Sequence, residues 1–233
     1  MTRLVSVVIP AMNEEAGIGQ VLESIPRLRL KEMGFDVEAV VVDGESIDRT
    51  REIAESKGAR VIIEPRRGYG RAYKTGFERA KGDVIVTGDA DTTYPFDRIA
   101  DLVETLEREG LDFLTTNRLA GLEKGAMSTK HRFGNWVLST TARLLFLVRI
   151  QDSQSGMWVF RRSALERLRL TSDGMPLSEE IKIEAFTRGL RAREVPIRYR
   201  ARVGEVKLNS FRDGWRNLVF LFRKRLGLAE PES

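Results

Sequence analysis

Residues 37–65, VEAVVVDGESIDRTREIAESKGARVIIEP, decide the fold of this chain. VEAVVVDG is a β-branched run that reads as a buried strand and stops at a turn carrying Asp43. SIDRTREIAESKG follows with helical character and closes at Gly58, and ARVIIEP is a second β-branched strand. Two buried strands with a helix between them cannot pair through a tight hairpin. They lie parallel, joined by a right-handed crossover. The same alternation extends both ways. LVSVVIPA reads as a strand and NEEAGIGQVLESI as a helix with acids in its first turn; GRAYKTGFERAKG reads as a helix ending at Gly82, and DVIVTGDAD as a fourth strand. This order predicts an α/β chain with a doubly wound, mostly parallel sheet flanked by helices. Ligands of such sheets sit beyond the carboxyl ends of the strands. There the sequence puts Pro10-Ala11-Met12-Asn13-Glu14, Asp43-Gly44-Glu45-Ser46 and Asp89-Ala90-Asp91, expected to converge on one crevice.

From about residue 112 the pattern changes: DFLTTNR reads as a strand and GNWVLSTTARLLFLVR as an amphipathic helix. DSQSGMWVFRRSALERL reads as a turn, a short strand and a helix; LSEEIKIEAFTRG, the strand-like REVPIRYRAR and a basic, aromatic tail follow. There is no internal repeat or low-complexity linker, so one domain (1–204) is expected, with halves at 1–111 and 112–204 and a basic tail at 205–233.

The 233 residues are 42% hydrophobic and 31% charged, ordinary for a folded soluble chain. Without cysteine there is neither disulfide nor thiol catalysis. The formal charge of +5 favours an anionic partner: nucleic acid, a membrane surface or a phosphorylated substrate. No apolar run approaches the roughly 20 residues of a membrane span, and MTRLVSVVIP lacks a cleavage site before its acidic continuation. The expected location is the cytoplasm, peripherally on the cytoplasmic face of a membrane.

Asp89 and Asp91 are the chemically loudest pair. On a strand their side chains would point the same way. Two hard oxygen donors suit Mg²⁺ or Mn²⁺, which leaves other positions for water and phosphate. A solvated loop or a helix cap is the competing reading, because Asp-x-Asp is a short pattern. Asn13 and Glu14 read equally as helix caps, and Asp43 as a turn former. Grouped at one sheet edge, they describe a nucleotide pocket.

VSVVIPAMNEE, VVVDGESIDRT, RRGYGRAYKTGFERAKGDVIVTGDAD and DSQSGMWVFRR, in this order, resemble the family 2 glycosyltransferases of GT-A fold, in the branch of the dolichyl-phosphate mannose and glucose synthases. The likeness runs to about residue 215. It implies that Pro10, Asn13, Glu14, Asp43, Arg71, Asp89, Ala90 and Asp91 bind the nucleotide sugar and that Asp89 and Asp91 hold the metal. It implies that Asp152 stands near the sugar, that Asp91, Asp152, Arg118 and Arg132 are catalytic, and that Arg118, Arg132, Arg202 and Lys207 receive the acceptor phosphate. The planar guanidinium fork suits that last task. Three departures stand out: the usual D-D-G-S reads Asp43-Gly44-Glu45-Ser46, Thr93 replaces a usual Gln, and Val206 replaces a frequent Ser.

The implied reaction moves a hexose from a GDP-mannose or UDP-glucose type donor to dolichyl or polyprenyl phosphate by in-line displacement with inversion. A phosphate monoester is already anionic near neutral pH, its second pKa being about 6, so it needs electropositive positioning rather than a strong base. Arg118, Lys130, Arg132, Arg202 and Lys207, with His131, offer it. A soluble hydroxyl acceptor is the alternative, with Asp152 or Glu180 as base; an inactive donor-binding scaffold is another. A nicotinamide enzyme would need a glycine fingerprint where Pro10-Ala11-Met12-Asn13 stands, and a nucleic-acid binder would leave the acids without purpose. In the tail, Trp215, Leu218, Val219, Phe222 and Leu226 share one helical face, ringed by Arg212, Arg216, Arg223, Lys224 and Arg225. This face reads either as a membrane-surface helix or as a stripe packed on the body, with Trp136, Leu144, Leu145 and Phe146 beside it.

Overall fold

The computed structural model describes residues 3–203 and 210–229. Strand β1 (Arg3–Ala11) is flanked by β2 (Phe35–Asp43) on one side and β4 (Val84–Thr87) on the other, both parallel to it; β3 (Arg60–Ile63) pairs in parallel with β2. Beyond β4 the sheet continues through β6 (Trp158–Arg161), antiparallel to both its neighbours, to β5 (Phe113–Asn117) and then β7 (Ala192–Pro196). The order β3-β2-β1-β4-β6-β5-β7 makes one seven-stranded sheet spanning both halves. The doubly wound, mostly parallel arrangement is the one anticipated, with β6 as the reversed strand.

Both faces of the sheet are buried, which is why its strands are runs of Val and Ile rather than alternations. From β1, Val5, Val7, Ile9 and Ala11 enter one core with Ile18, Val21 and Leu22 of α1 (Ile18–Glu23), Leu30 of α2 (Arg27–Glu32), Ala54 of α3 (Thr50–Ser56), and Ile99, Leu102, Val103 and Leu106 of α5 (Ile99–Arg108). Val8 points the other way, toward Tyr73 and Phe77 of α4 (Tyr69–Arg79) and Leu177, Ile181 and Ala185 of α7 (Leu177–Thr187). Helix α4 lies so close to the sheet that a Cβ on Gly76 would come within 2.3 Å of a Val8 methyl carbon.

Helix α6 (Thr129–Phe146) starts at Ser128, whose hydroxyl accepts from the His131 amide, and packs along α8 (Ser210–Arg225). Leu138 and Ala142 meet Leu221, Leu218 and Ile183 of α7.

Two local expectations differ, and one helix is unusual in its burial. The acidic stretch Asn13–Gly17 is a turn and α1 begins only at Ile18; Asn13 is left-handed, at φ 54, and Gly17 packs where a Cβ would sit 2.5 Å from the Ala90 carbonyl. Strand β4 ends at Thr87, so Asp89 and Asp91 project from a turn, and strand alternation does not set their direction. Helix α7 has no solvated face: Glu179, Glu180, Lys182 and Glu184 are all buried.

Candidate functional site

The carboxyl ends of β1, β2 and β4 do meet at one cavity. It is about 860 Å³ and its walls include Pro10, Glu14, Gly44, Asp89, Ala90 and Asp91. The turn bearing the acids is strained, since Thr92 is β-branched and holds φ 68. Asp91 helps fix it: its Oδ1 accepts from the Thr93 amide at 3.2 Å and the Thr93 hydroxyl at 2.6 Å. Thr93, the departure from the usual Gln, is therefore bound up in holding Asp91. Withdrawal from water raises the pKa of half-buried Asp89, and the charge of Asp91 raises it further. The Tyr73 hydroxyl donates to Asp89 at 3.3 Å.

Arg202 supplies the counter-charge. Its guanidinium lies 3.2 Å from Asp91 Oδ2 and 2.7 Å from Glu14 Oε1. Two backbone bonds hold that segment down, from the Val203 amide to the Asp91 carbonyl (3.1 Å) and from the Arg200 amide to the Thr93 carbonyl (3.0 Å). Arg202, expected at the acceptor phosphate, thus sits against donor-half acids.

Two adjacent carboxylates that recruit a cationic partner are a hard-oxygen set suited to a divalent ion. Among the described residues no group of three or more His, Cys, Asp or Glu side chains is placed to hold a metal. Asp89 and Asp91 offer hard oxygens of the kind Mg²⁺ or Mn²⁺ takes, and an ion there would replace the Arg202 guanidinium on Asp91 Oδ2.

The other nucleotide-side residues divide. Asn13, at φ 54, accepts from the Ile47 amide (2.8 Å) and its own amide donates to Ser46 Oγ (2.9 Å), so it shapes the loop. Asp43 is wholly buried. Its Oδ2 accepts from the Ser46 amide at 2.9 Å while its Oδ1 has no hydrogen-bond partner among the described residues; Gly44 beside it faces the cavity. Arg71 turns toward Glu64, at 3.2 Å, rather than lining the cavity.

On the acceptor side, Arg118 reaches the cavity through a salt bridge. The Asp152 carboxylate accepts from Arg118 Nε (2.8 Å), Nη2 (2.9 Å) and amide (2.9 Å), and from the Gln154 amide (3.2 Å). Asp152 is completely buried, and although burial alone would raise its pKa, the Arg118 guanidinium holds it at about 2. Asp152 therefore stands behind the cavity wall, with both oxygens engaged. Glu180 is engaged too, by the Thr171 hydroxyl (2.7 Å), the Ser172 amide (2.9 Å) and Lys224 (3.1 Å). Arg132 is exposed on α6 and does not line the cavity, whereas its neighbours Lys130 and His131 do. Lys207 lies outside the described residues.

Sequence reasoning missed the aromatic floor. Tyr94 Oη accepts from the Gly156 amide at 2.6 Å, a Cβ on Gly156 would stand 2.3 Å from Tyr69 Oη, and the Tyr199 ring lies 5.3 Å from the Arg118 guanidinium carbon. The glycine of DSQSG admits these rings, which is the one signal that pointed to them. From this floor the cavity runs on between α6 and α8, past Phe133, Val137, Leu138, Trp215 and Leu218.

Helix α8 is anchored to the body. Lys224 bridges Glu180 and Glu184 (2.8 Å), and Asn217 donates to Gln154 at 2.7 Å. Leu221 is buried, yet Trp215, Phe222 and Leu226, with Phe133, Trp136, Leu144 and Leu147 of or just after α6, stay exposed. No helix among the described residues is long and apolar enough to cross a membrane.

The chain is 40% identical over 218 residues to the low-salt glycan biosynthesis hexosyltransferase Agl6 of Haloferax volcanii, covering 93% of this chain and 52% of that one, so it spans about half the length of that relative. It is 37% identical to the dolichyl-phosphate hexose transferase of the same organism, covering 90% of this chain and 88% of the other. Its fold is similar to that of glucosyl-3-phosphoglycerate synthase from Mycobacterium tuberculosis, crystallised with Mg²⁺ and UDP, with a TM-score of 0.77, 26% identity, and coverage of 99% of this chain and 81% of that one. The model of glycosyl transferase family 2 matches residues 6–169, and the chain belongs to that family.

Proposed function

We propose that the protein is a metal-dependent, inverting hexosyltransferase that moves a hexose from a nucleoside diphosphate sugar to a polyprenyl phosphate of the dolichyl type. The observation that carries this reading is the continuity of the cavity. It begins at Asp89 and Asp91, passes Arg118, Lys130 and His131, and continues between α6 and α8 along apolar side chains. An acceptor with an anionic head and a hydrocarbon tail matches that sequence of surfaces.

Pro10, Glu14 and the Gly44 edge would bound the nucleoside. Asp89 and Asp91 would hold a divalent ion, which when bound neutralises the charge growing on the departing diphosphate. Arg118, held rigid by Asp152, would orient the acceptor phosphate. One phosphate oxygen attacks the anomeric carbon as the bond to the donor's β-phosphate oxygen breaks, and the electron pair leaves with the nucleoside diphosphate. No proton need be taken from this nucleophile. That agrees with the engagement of Asp152 and Glu180, the two carboxylates a hydroxyl acceptor would call on as base. The resemblance to glucosyl-3-phosphoglycerate synthase supports a second reading, a small phosphorylated hydroxy acid as acceptor; the apolar groove argues against it.

The exposed aromatic face of α6 and α8, near Arg212, Arg216, Arg223 and Arg225, suits the interface of an anionic membrane on the cytoplasmic side, where the acceptor resides. Lys224 is committed to Glu180 and Glu184 and does not serve it.

Transfer is tested by incubating the protein with GDP-mannose or UDP-glucose, Mn²⁺ and a short polyprenyl phosphate, with mass spectrometry of the product. A glycosylated polyprenyl phosphate is expected. Transfer to a soluble phosphorylated hydroxy acid alone would overturn the reading.

A further inference from the structure

The wall behind Arg118 holds charged groups that the proposed mechanism leaves unused. Lys182, on α7, is fully buried, and its ammonium donates to the Asp152 backbone carbonyl at 2.5 Å. Glu194, on β7, receives the Gln151 amide at 2.9 Å and the Asp152 amide at 3.0 Å, one on each oxygen. The turn that carries Asp152 is thus gripped at two amides and one carbonyl by side chains from different elements. Its carboxylate then grips Arg118 at three nitrogens.

An unpaired buried ammonium is costly, and a solvated lysine would serve α7 equally well as helix. The charges facing Lys182 are Asp152 from the turn, Glu194 from β7, Arg118 after β5, and Glu179 on its own helix. Burial pushes the Glu179 carboxyl well above the ordinary carboxylate range, and Gln154 is its hydrogen-bond donor at 2.8 Å. Asp152, held ionised by Arg118, and Glu194 face Lys182 across this wall. Loss of the Lys182 proton takes one positive charge from the wall behind Arg118. An anionic ligand arriving at Arg118 meets a wall one charge more positive with that proton than without it.

We propose that Lys182 is a positioning residue for the acceptor phosphate: with Glu194 it clamps the Asp152 turn, and through Asp152 it sets the placement and the effective charge of Arg118 toward the cavity. This rests on the lipid-phosphate reading above. Burial lowers the Lys182 pKa to about 8 despite the nearby carboxylates, so the clamp loses its charge just above neutral pH. The acceptor phosphate is already doubly ionised there, its second pKa being about 6.

The test is steady-state transfer to a short polyprenyl phosphate, with donor and acceptor KM measured separately from ~pH 7 to ~pH 9.5, for wild type, Lys182→Met and Lys182→Arg. For wild type, acceptor KM should rise about tenfold across the range while donor KM holds. Lys182→Met should start about tenfold high and stay flat, and Lys182→Arg, charged throughout, should stay low and flat. The wild-type profile needs no variant to fold. Absence of any transfer by wild type overturns the acceptor reading, and this inference with it. Transfer with a wild-type acceptor KM indifferent to pH overturns this inference alone, as does a folded Lys182→Met with unchanged acceptor KM.

Discussion

Replacing Asp152 by Asn isolates the salt bridge that braces the site. The Asp152 carboxylate is wholly buried and accepts four N–H groups, three of them from Arg118, itself only 8% exposed. Asn is nearly isosteric but neutral, and its amide can accept at one oxygen only. The guanidinium is left as a buried charge without its counter-ion, a loss of about 3–5 kcal/mol. For a chain of this length that is a fall in Tm of roughly 6–20 °C. The effect of pH sharpens the test. A carboxyl held at about 2 in the folded protein against an ordinary 3.8 contributes about 2–3 kcal/mol that is fully present above about pH 5. As pH falls through 3.8 toward 2 that contribution is lost, because the folded state must then take up the proton it resisted. The deficit of Asp152→Asn should therefore be large at ~pH 7 and shrink by about 1 kcal/mol at ~pH 3 in urea titrations. Adding Arg118→Met should recover part of the loss, since the stranded charge is gone. A variant as stable as wild type at neutral pH, or a deficit that ignores pH, would refute the view that this pair is held by charge.

Three further outcomes follow from local geometry. Glu45 is exposed and sits at φ 62, a left-handed conformation that Gly adopts without strain, so Glu45→Gly should raise stability by about 0.5–1 kcal/mol in denaturant titrations. Gly76→Ala drives a Cβ to 2.3 Å from Val8 and should cost about 1–3 kcal/mol by the same measurement. Trp136→Ala with Trp215→Ala removes two exposed aromatics, 57% and 62% accessible. The double variant should lose most flotation with anionic liposomes yet keep its Tm, and undiminished flotation would contradict a membrane role for this face.

The sheet was legible because residues 37–65 carry a β-branched run, a helix and a second such run in an order only a parallel crossover satisfies. The acids of the site were legible because polar residues punctuate the ends of β1, β2 and β4. What lay hidden was set by partners distant in sequence. Nothing in LSEEIKIEAFTRG says that Glu180 will meet Lys224 or that Lys182 will reach Asp152, contacts spanning 44 and 30 residues. Helix α7 is buried, and its charged side chains are met from other elements: Glu180 and Glu184 by Lys224, Lys182 by the Asp152 carbonyl and Glu179 by Gln154. Arg132 and Arg202 show the same limit: position along the chain said that they were basic, but only packing told which of them meets Asp91.

The central claim is that Asp89 and Asp91 hold a divalent ion against the diphosphate of the donor. Isothermal titration of GDP and UDP into wild type and Asp91→Ala, each with Mn²⁺ and with EDTA, tests it most directly. Wild type should bind one of the two nucleotides with Mn²⁺ and lose that binding in EDTA, while Asp91→Ala, still folded, binds neither. Equal nucleotide affinity with and without the metal, or an Asp91→Ala protein that binds as wild type does, would contradict it.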